Sequence, residues 1–330
     1  MGKCLSFLAS RRDYRSDAYT EIVSLMWAKH CRSPYSLLST NVLREVNSYL
    51  AAVGLLVDLQ GRYLRFYSFR TRTWSANLPL KKLINVDAFS SSWVLLDSYN
   101  IFVCGGAPCK VYTDMTHKGW NSAYIVHAKG AVEDLPAMHT VRAYHGLILW
   151  RNSVFVFGGS VYEDVNLRRR EAITGSERYQ VFATMWQFVQ PMAIPRANFN
   201  PCLFHEIIYL SSWIIEGYSP ARNTYIDYQV KLPGNPVRCV YVDSSELVVH
   251  TEFLVIRFEM GSNGVLAETS STAQRHHGHY VRTCCPPVVD AAAGVLHFVH
   301  CGQHLLFFMD GGRIKNETEK EFDPVPYLMR

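Results

Sequence analysis

The sequence lacks the cysteine spacing of a disulfide framework or a zinc finger. Its nine cysteines are scattered along 330 residues and never form a Cys-x-x-Cys pair. An odd number of scattered cysteines in a long chain favours a reducing compartment. No apolar run is long enough to span a membrane, and no signal-peptide pattern opens the chain. Together these absences predict a cytoplasmic location.

Motifs of common catalytic sites are also missing. The sequence contains no phosphate-binding loop, no dinucleotide fingerprint, no Gly-x-Ser-x-Gly elbow and no His-Glu-x-x-His. The net charge of +5 is small for this length and gives no case for nucleic acid. We therefore expect a protein that is not an enzyme and that holds no cofactor.

Two apolar segments that end in a glycine pair are the clearest positive feature. Residues 101–104 precede Gly105 and Gly106, and the same pattern precedes Gly158 and Gly159, 53 positions later. A short, continuous apolar run predicts a strand that is buried on both faces. The glycines allow the backbone to turn and to approach a neighbour where a Cβ would clash.

The residues around these pairs recur in the same order. Trp74 and Trp186 are each followed by a proline within five residues, and an Arg-Ala pair begins at Arg142 and again at Arg196. This pattern resembles the kelch family, in which Gly-Gly ends an apolar strand and is followed by a Tyr-containing strand, a Trp and a Leu-Pro or Met-Pro turn with an Arg. The resemblance implies four-stranded blades that are arranged radially as a β-propeller.

We expect an all-β fold: a six-bladed kelch-type β-propeller over residues 51–330, preceded by a short α-helical segment within residues 1–50. Blade one runs to about Leu80, and the next three blades cover residues 85–137, 138–192 and 193–234. The last third is read from strand alternation alone, so five or seven blades remain open. A strand from the C-terminus should complete the first blade, because a closed ring leaves no open edge.

The first six residues match the N-myristoylation pattern, with Gly2 as the acceptor and Cys4 placed for a second acyl chain. One myristoyl chain binds a membrane only marginally, so stable attachment needs a second chain or a basic patch. The pattern predicts a tether to the cytoplasmic face of a membrane. The alternative is a chance match in an ordinary N-terminus.

Residues 37–50 are similar to the opening of an F-box, with Ser39 where that family has Pro. This likeness implies a substrate adaptor of a ubiquitin ligase, which would bind the linker protein of that ligase. The alternative is an amphipathic helix that packs on the rim of the propeller.

Two long loops are the candidate binding site for a protein partner. In a four-stranded antiparallel blade, the loops after the second and fourth strands emerge on the same face, and long loops on a rigid scaffold often carry binding residues. Residues 107–121 and 160–176 form the longest of these loops. The candidate contact residues are His117, Trp120, Tyr162, Arg168, Arg169 and Arg170. The alternative is a solvated, charged loop.

Histidines and cysteines cluster twice near the C-terminus. The first cluster is His276, His277, His279, Cys284 and Cys285, and the second is His297, His300, Cys301 and His304. Neither has zinc-finger spacing, so we expect no metal site. A metal-dependent oxidase remains the rival class, because copper oxidases share this type of propeller.

Overall fold

The structure is a computed structural model that describes residues 55–316. Gaps fall at residues 61, 69–72, 76, 86–89, 97–99, 108–119, 165–168, 182, 233–236, 238, 244, 252–253, 262–263, 274–287, 291–294, 301–302 and 309–313. The chain divides into two compact units, Met1–Leu55 and Leu56–Arg330. The helices predicted within residues 1–50, together with the F-box-like stretch, lie outside the described residues.

The described part of the chain is all-β, which confirms the predicted fold class. The described part contains no helix, and therefore no helix that could cross a membrane. Its strands are β1 (Leu55–Gln60), β2 (Tyr63–Ser68), β3 (Thr73–Trp74), β4 (Leu78–Pro79), β5 (Ser92–Leu95), β6 (Asn100–Cys104), β7 (Ala123–His127), β8 (Val132–Leu135), β9 (Gly146–Trp150), β10 (Ser153–Phe157), β11 (Ser160–Asp164), β12 (Arg169–Ala172), β13 (Ser176–Gln180), β14 (Gln187–Val189), β15 (Cys202–Phe204), β16 (Ile207–Ser211), β17 (Ile214–Ser219), β18 (Thr224–Lys231), β19 (Cys239–Asp243), β20 (Glu246–His250), β21 (Leu254–Met260), β22 (Leu266–Ala273), β23 (Val288–Asp290), β24 (Val295–His300), β25 (Gln303–Phe308) and β26 (Ile314–Asn316).

These strands form six sheets of four strands and one separate hairpin within the described residues. The sheets are numbered here along the chain. In the second (β5–β8), fourth (β15–β18), fifth (β19–β22) and sixth (β23–β26) sheets, consecutive strands pair in chain order and antiparallel. The third sheet has the order β14-β13-β10-β9, and the hairpin β11–β12 is inserted between its second and third strands. The second to sixth sheets are therefore local up-and-down units.

The first sheet is narrower than the others. Both β3 and β4 pair with β2, so its four strands cover only three positions. The strand β26 pairs with β25 in the last sheet. The expected closing strand from the C-terminus stays a prediction, because residues 317–330 lie outside the described part.

Neighbouring sheets pack face to face through the alternating side chains of their strands. On β10, Val154 belongs to the apolar cluster that contains Phe102 of the second sheet. Phe155, the next residue, belongs to the cluster that contains Tyr218 of the fourth sheet. All four side chains are fully buried, and each such side chain contributes about 1.5–3 kcal/mol by leaving water. A third cluster joins the fourth and fifth sheets in the same way.

The first strands of these sheets are also neighbours. β5 contacts β9, β9 contacts β15, and β15 contacts β19. Just before these strands, the Tyr144 N–H donates to the Ser90 carbonyl and the Asn198 N–H donates to the Tyr144 carbonyl, both at 2.8 Å. Ser90, Tyr144 and Asn198 are spaced by 54 residues. The sequence repeat thus corresponds to a repeated contact between the starts of successive sheets.

The two glycine pairs adopt the same backbone conformation. Their φ angles are +61° and +110° at Gly105 and Gly106, and +57° and +96° at Gly158 and Gly159. A Cβ on Gly105 would lie 2.7 Å from the Arg142 carbonyl oxygen, which is too close for any side chain. Both the positive φ and the close approach therefore require glycine.

Replacement of Gly158 by Ala should destabilise the fold more than the same change at Gly264. Both glycines have positive φ, but a Cβ on Gly158 would meet the Arg196 carbonyl oxygen and lie 2.6 Å from Met192 Cε, whereas a Cβ on Gly264 would meet nothing within 4 Å. We expect Gly264→Ala to cost about 1 kcal/mol from backbone strain and Gly158→Ala about 3 kcal/mol. Urea unfolding of both variants measures this; equal losses would show that close packing at the glycine pair is unimportant.

Candidate functional site

The connections that follow the second strands of the second, third and fourth sheets lie at corresponding edges of neighbouring sheets. They run from Gly105 to Ser122, from Gly158 to Gly175, and through Ser212 and Trp213. We call this side of the three sheets the glycine edge. It contains the described ends of both long segments that the sequence predicts as binding loops, residues 105–107 with 120–122 and residues 158–164 with 169–175.

The same backbone hydrogen bonds tie down both long connections. The Gly105 N–H donates to the Ser122 carbonyl at 2.9 Å, and the Gly158 N–H donates to the Gly175 carbonyl at 3.0 Å. Four further pairs of bonds are equivalent. They are Trp120 N–H to Gly106 O with Ile173 N–H to Gly159 O, Met138 N–H to Asn121 O with Met192 N–H to Thr174 O, Arg142 N–H to Trp120 O with Arg196 N–H to Ile173 O, and Gly106 N–H to Arg142 O with Gly159 N–H to Arg196 O. The two connections therefore leave and return at equivalent places in adjacent sheets.

The second connection contains a β-hairpin where the sequence predicts a loop. β11 and β12 pair antiparallel, with Tyr162 opposite Arg170 and Asp164 opposite Arg169 around an irregularity in register. Val161 and Tyr162 on β11 are residue types with a high propensity for strands. The Arg169 and Arg170 positions thus lie on a strand, and Arg168 lies outside the described residues.

A buried arginine clamps the base of this hairpin. The Arg142 guanidinium donates to the carbonyl oxygens of Gly158 and Gly175, both at 2.8 Å, and to Glu177 Oε1 at 2.6 Å. Gly158 precedes β11 and Gly175 follows β12, so one side chain holds both legs of the hairpin. Burial lowers the pKa of Arg142, while the Glu177 carboxylate opposes that shift. Both side chains of the pair are fully buried.

The Glu177 carboxylate has further donors. It accepts the His139 N–H at 2.8 Å and the Thr140 N–H at 3.0 Å, both from the segment that enters the third sheet. The buried carboxylate is thus held by one cation and two backbone groups, which is the condition under which buried charge is tolerated. The pair therefore fixes the hairpin base relative to the start of its own sheet.

Arg196 occupies the equivalent place in the fourth sheet. Its guanidinium forms an ion pair with Glu216 on β17, and it donates to the Ile214 carbonyl at 3.2 Å. The two carboxylates are not among the residues predicted from the sequence. Both occur in a Glu-x-Tyr pattern, Glu177 on β13 and Glu216 on β17. That recurrence, read together with the two arginines, is the signal that could have found them.

Two tryptophans lie on the glycine edge. Trp120, a predicted contact residue, is partly exposed at the return of the first long connection. Trp213 is 57% exposed in the short β16–β17 connection, and its carbonyl accepts the Leu232 N–H at 3.1 Å, as Asn121 does from Met138. Trp213 is not among the predicted contact residues, because those residues lie in long connections and its own connection is short. Tryptophan is enriched among the residues that dominate the energy of protein interfaces, so an exposed tryptophan on this edge is a candidate contact.

A buried thiol and imidazole lie next to the glycine pair of the second sheet. Cys104 Sγ is 3.4 Å from His145 Nε2, and both residues are buried. Burial raises the pKa of the Cys104 thiol, and burial followed by the nearby Arg142 charge lowers the pKa of His145 to about 3. A protonated thiol beside a neutral imidazole is not an activated nucleophile. This pair therefore acts in packing.

The other predicted residues fall in different places. Trp186 is buried, and its Nε1–H donates to the Pro136 carbonyl at 2.8 Å, so it anchors the core between the second and third sheets. Trp74 ends β3. His297 is buried on β24. Gly2, Cys4, His117 and the cluster from His276 to Cys285 lie outside the described residues. Within the described part, no three His, Cys, Asp or Glu residues are grouped so that they could hold a metal ion.

Searches against protein-family models and against curated proteins found no match to this sequence.

Replacement of Arg142 by Met should be strongly destabilising. The change leaves the Glu177 carboxylate buried without its cation, and we expect a loss of about 3–5 kcal/mol in the free energy of unfolding. The double variant Arg142→Met/Glu177→Gln should recover part of this loss, because an amide oxygen still accepts the two N–H bonds without carrying charge. Denaturant unfolding of both variants measures the difference. Strictly additive losses would contradict the clamp.

Stability should fall at acid pH because of His145. Its pKa of about 3 in the folded chain lies below the ordinary value of 6.5, so the unfolded chain binds a proton first as pH falls. The contribution of a neutral His145 is therefore complete above pH 6.5 and is lost progressively down to about pH 3. In His145→Gln, the free energy of unfolding should change less between pH 7 and pH 5 than in the wild type. Identical pH profiles would contradict a buried neutral imidazole.

Proposed function

We propose that this chain is a kelch-type β-propeller of six blades that binds another protein through the glycine edge. Three observations support the propeller: six consecutive four-stranded sheets, face-to-face packing of the second to fifth sheets, and neighbouring first strands. A radial arrangement satisfies all three, since each blade then covers the apolar face of the next. The four-stranded sheets also agree with the repeat length read from the glycine pairs.

The observation that carries the binding function is the exposed Trp213 on the same edge as Trp120 and the clamped hairpin. Tryptophan and arginine are the residue types that most often dominate the energy of a protein interface. Trp213 projects from a turn that is fixed by backbone hydrogen bonds, and the hairpin base is fixed by Arg142. Preformed contacts lose little conformational entropy on binding, so a rigid edge of this kind is suited to a specific partner.

The hairpin provides the polar part of the proposed surface. Tyr162 is opposite Arg170 and Asp164 is opposite Arg169 on its two short strands, which begin directly after Gly159. A rim of charged side chains around aromatic anchors is the usual composition of an interface that forms and dissociates. The proposal therefore assigns affinity to the tryptophans and orientation to the hairpin.

The N-terminal acylation pattern completes the proposal. Lipidation of Gly2 and Cys4 would hold this scaffold at the cytoplasmic face of a membrane, where it would present the glycine edge to its partner. The adaptor role in a ubiquitin ligase depends on residues 37–50, and the oxidase depends on C-terminal histidines. Those residues, apart from His297, His300 and His304, lie outside the described part, and no observation favours either role over the scaffold.

Quantitative affinity capture with purified variants tests the binding edge. A partner retained by the wild type should be lost from Trp213→Ala, with an affinity decrease of about 30-fold or more, because truncation of a central interface aromatic typically costs about 2 kcal/mol. The matched control is Met185→Ala, which removes an equally exposed large apolar side chain (62%) from the β13–β14 connection, at the other end of the strands from the glycine edge.

A second pair of variants tests the hairpin. Arg169→Glu/Arg170→Glu should slow association with the same partner. The control Lys129→Glu/Arg222→Glu makes the same change in charge, in turns at the other side of the sheets, and should not slow association. Retention of the same partner by all four variants would contradict the proposed edge.

A further inference from the structure

A group of exposed cations lies on the side of the second sheet that is opposite the glycine edge. Lys129 is in the β7–β8 turn, Lys81 and Lys82 follow β4, and Arg62 is in the β1–β2 turn. Leu83 follows the two lysines and is 64% exposed. We call these five residues the cationic patch.

Backbone contacts bring these three separate segments together. The Leu80 N–H donates to the Arg62 carbonyl at 3.0 Å, and the Lys81 N–H donates to the Gly130 carbonyl at 2.8 Å. Gly130 has a φ of +78°, and a Cβ there would collide with the Pro79 carbonyl oxygen. The close approach of the turn to the segment after β4 therefore depends on glycine, and it fixes Lys81 beside Lys129.

Most of this charge is not neutralised. Lys82 forms an exposed ion pair with Asp134, with 2.5 Å between Nζ and Oδ1. Among the described residues, Arg62, Lys81 and Lys129 form no ion pair, and the nearby Glu133 lies 4.0 Å from His127. Because like charges on adjacent segments repel, a cluster of this kind is stabilised when it meets a negatively charged surface.

The composition of the patch favours a lipid surface over a nucleic acid. An apolar side chain that projects among Lys and Arg can enter the acyl boundary while the cations stay with the headgroups. Proteins that bind single-stranded nucleic acid instead place aromatic side chains where bases can stack. The patch has an exposed leucine and no aromatic residue.

We propose that the cationic patch docks on an anionic lipid bilayer. Each cation near such a surface increases binding about fivefold, and an exposed leucine adds to it. This attraction is the second signal that a single acyl chain requires for stable attachment. The acyl chain belongs to the proposed function, and the inference rests on that function for the acyl chain alone. Docking of the cationic patch is independent of the partner at the glycine edge.

Vesicle co-sedimentation of the unacylated full-length protein tests the patch directly. The wild type should bind vesicles of phosphatidylserine mixed with phosphatidylcholine, and should not bind pure phosphatidylcholine. Arg62→Gln/Lys81→Gln/Lys129→Gln should lower the partition coefficient about 100-fold, and Leu83→Ser should lower it severalfold. Circular dichroism establishes that each variant is folded.

The control variant removes the same charge from another part of the molecule. Arg169→Gln/Arg170→Gln/Lys231→Gln also lowers the formal net charge from +5 to +2 and should leave vesicle binding within about twofold of the wild type. An equal loss in both triple variants would overturn the patch in favour of a general charge effect. Binding of an RNA oligonucleotide without binding of vesicles would overturn it in favour of a nucleic-acid surface.

The acyl tether is tested separately in cells. The wild type should be recovered with membranes, and Gly2→Ala should be recovered to a much smaller extent, because the patch alone attaches more weakly than the patch together with an acyl chain. Equal recovery of the two would refute the tether of the proposed function, and it would leave the vesicle result for the patch unaffected.

Discussion

Burial of both faces of each small sheet is the constraint on which this structure depends. On β10, valines point to one neighbouring sheet and phenylalanines to the other, and all of them are excluded from water. One four-stranded sheet cannot achieve this alone, so each sheet requires a neighbour on either side. Both faces of the third and fourth sheets, and one face each of the second and fifth, are thereby occupied by packing. What remains for recognition is the edges, where turns and connections meet water.

The buried ion pairs follow from this arrangement. A connection between the second and third strands must leave the packed region and return to it, and its backbone carbonyls are buried where it does so. Arg142 satisfies two of these carbonyls and Arg196 satisfies one, while Glu177 and Glu216 balance the charges. Burial of an ion pair adds little net stability, because desolvation offsets the attraction. Its effect is to define where the connection lies, and that geometry is what a binding edge needs.

Local patterns predicted the strands and the glycine positions well. Apolar runs before Gly105 and Gly158 are strands buried on both faces, and both glycines have the positive φ that their sequence context suggested. The residues that were missed depend on contacts between distant positions. Glu177 is 35 residues from Arg142, and its role exists only once the third strand returns beside the connection. Trp213 is 57% exposed in a turn of two residues, and no residue pattern near it indicates that exposure.

The two proposed surfaces are compatible because they lie at opposite ends of the same strands. β7 begins at the return of the first long connection and ends at the turn that carries Lys129, and its five residues span about 17 Å. A molecule that met a bilayer through the cationic patch would therefore direct Trp120 and the clamped hairpin away from the lipid. Orientation of this kind would restrict the partner to approach from the side away from the lipid. The cations that attract lipid headgroups would also lie on the opposite side of the sheets from the charged residues of the hairpin. The lipid and the partner would therefore not compete for the same charges.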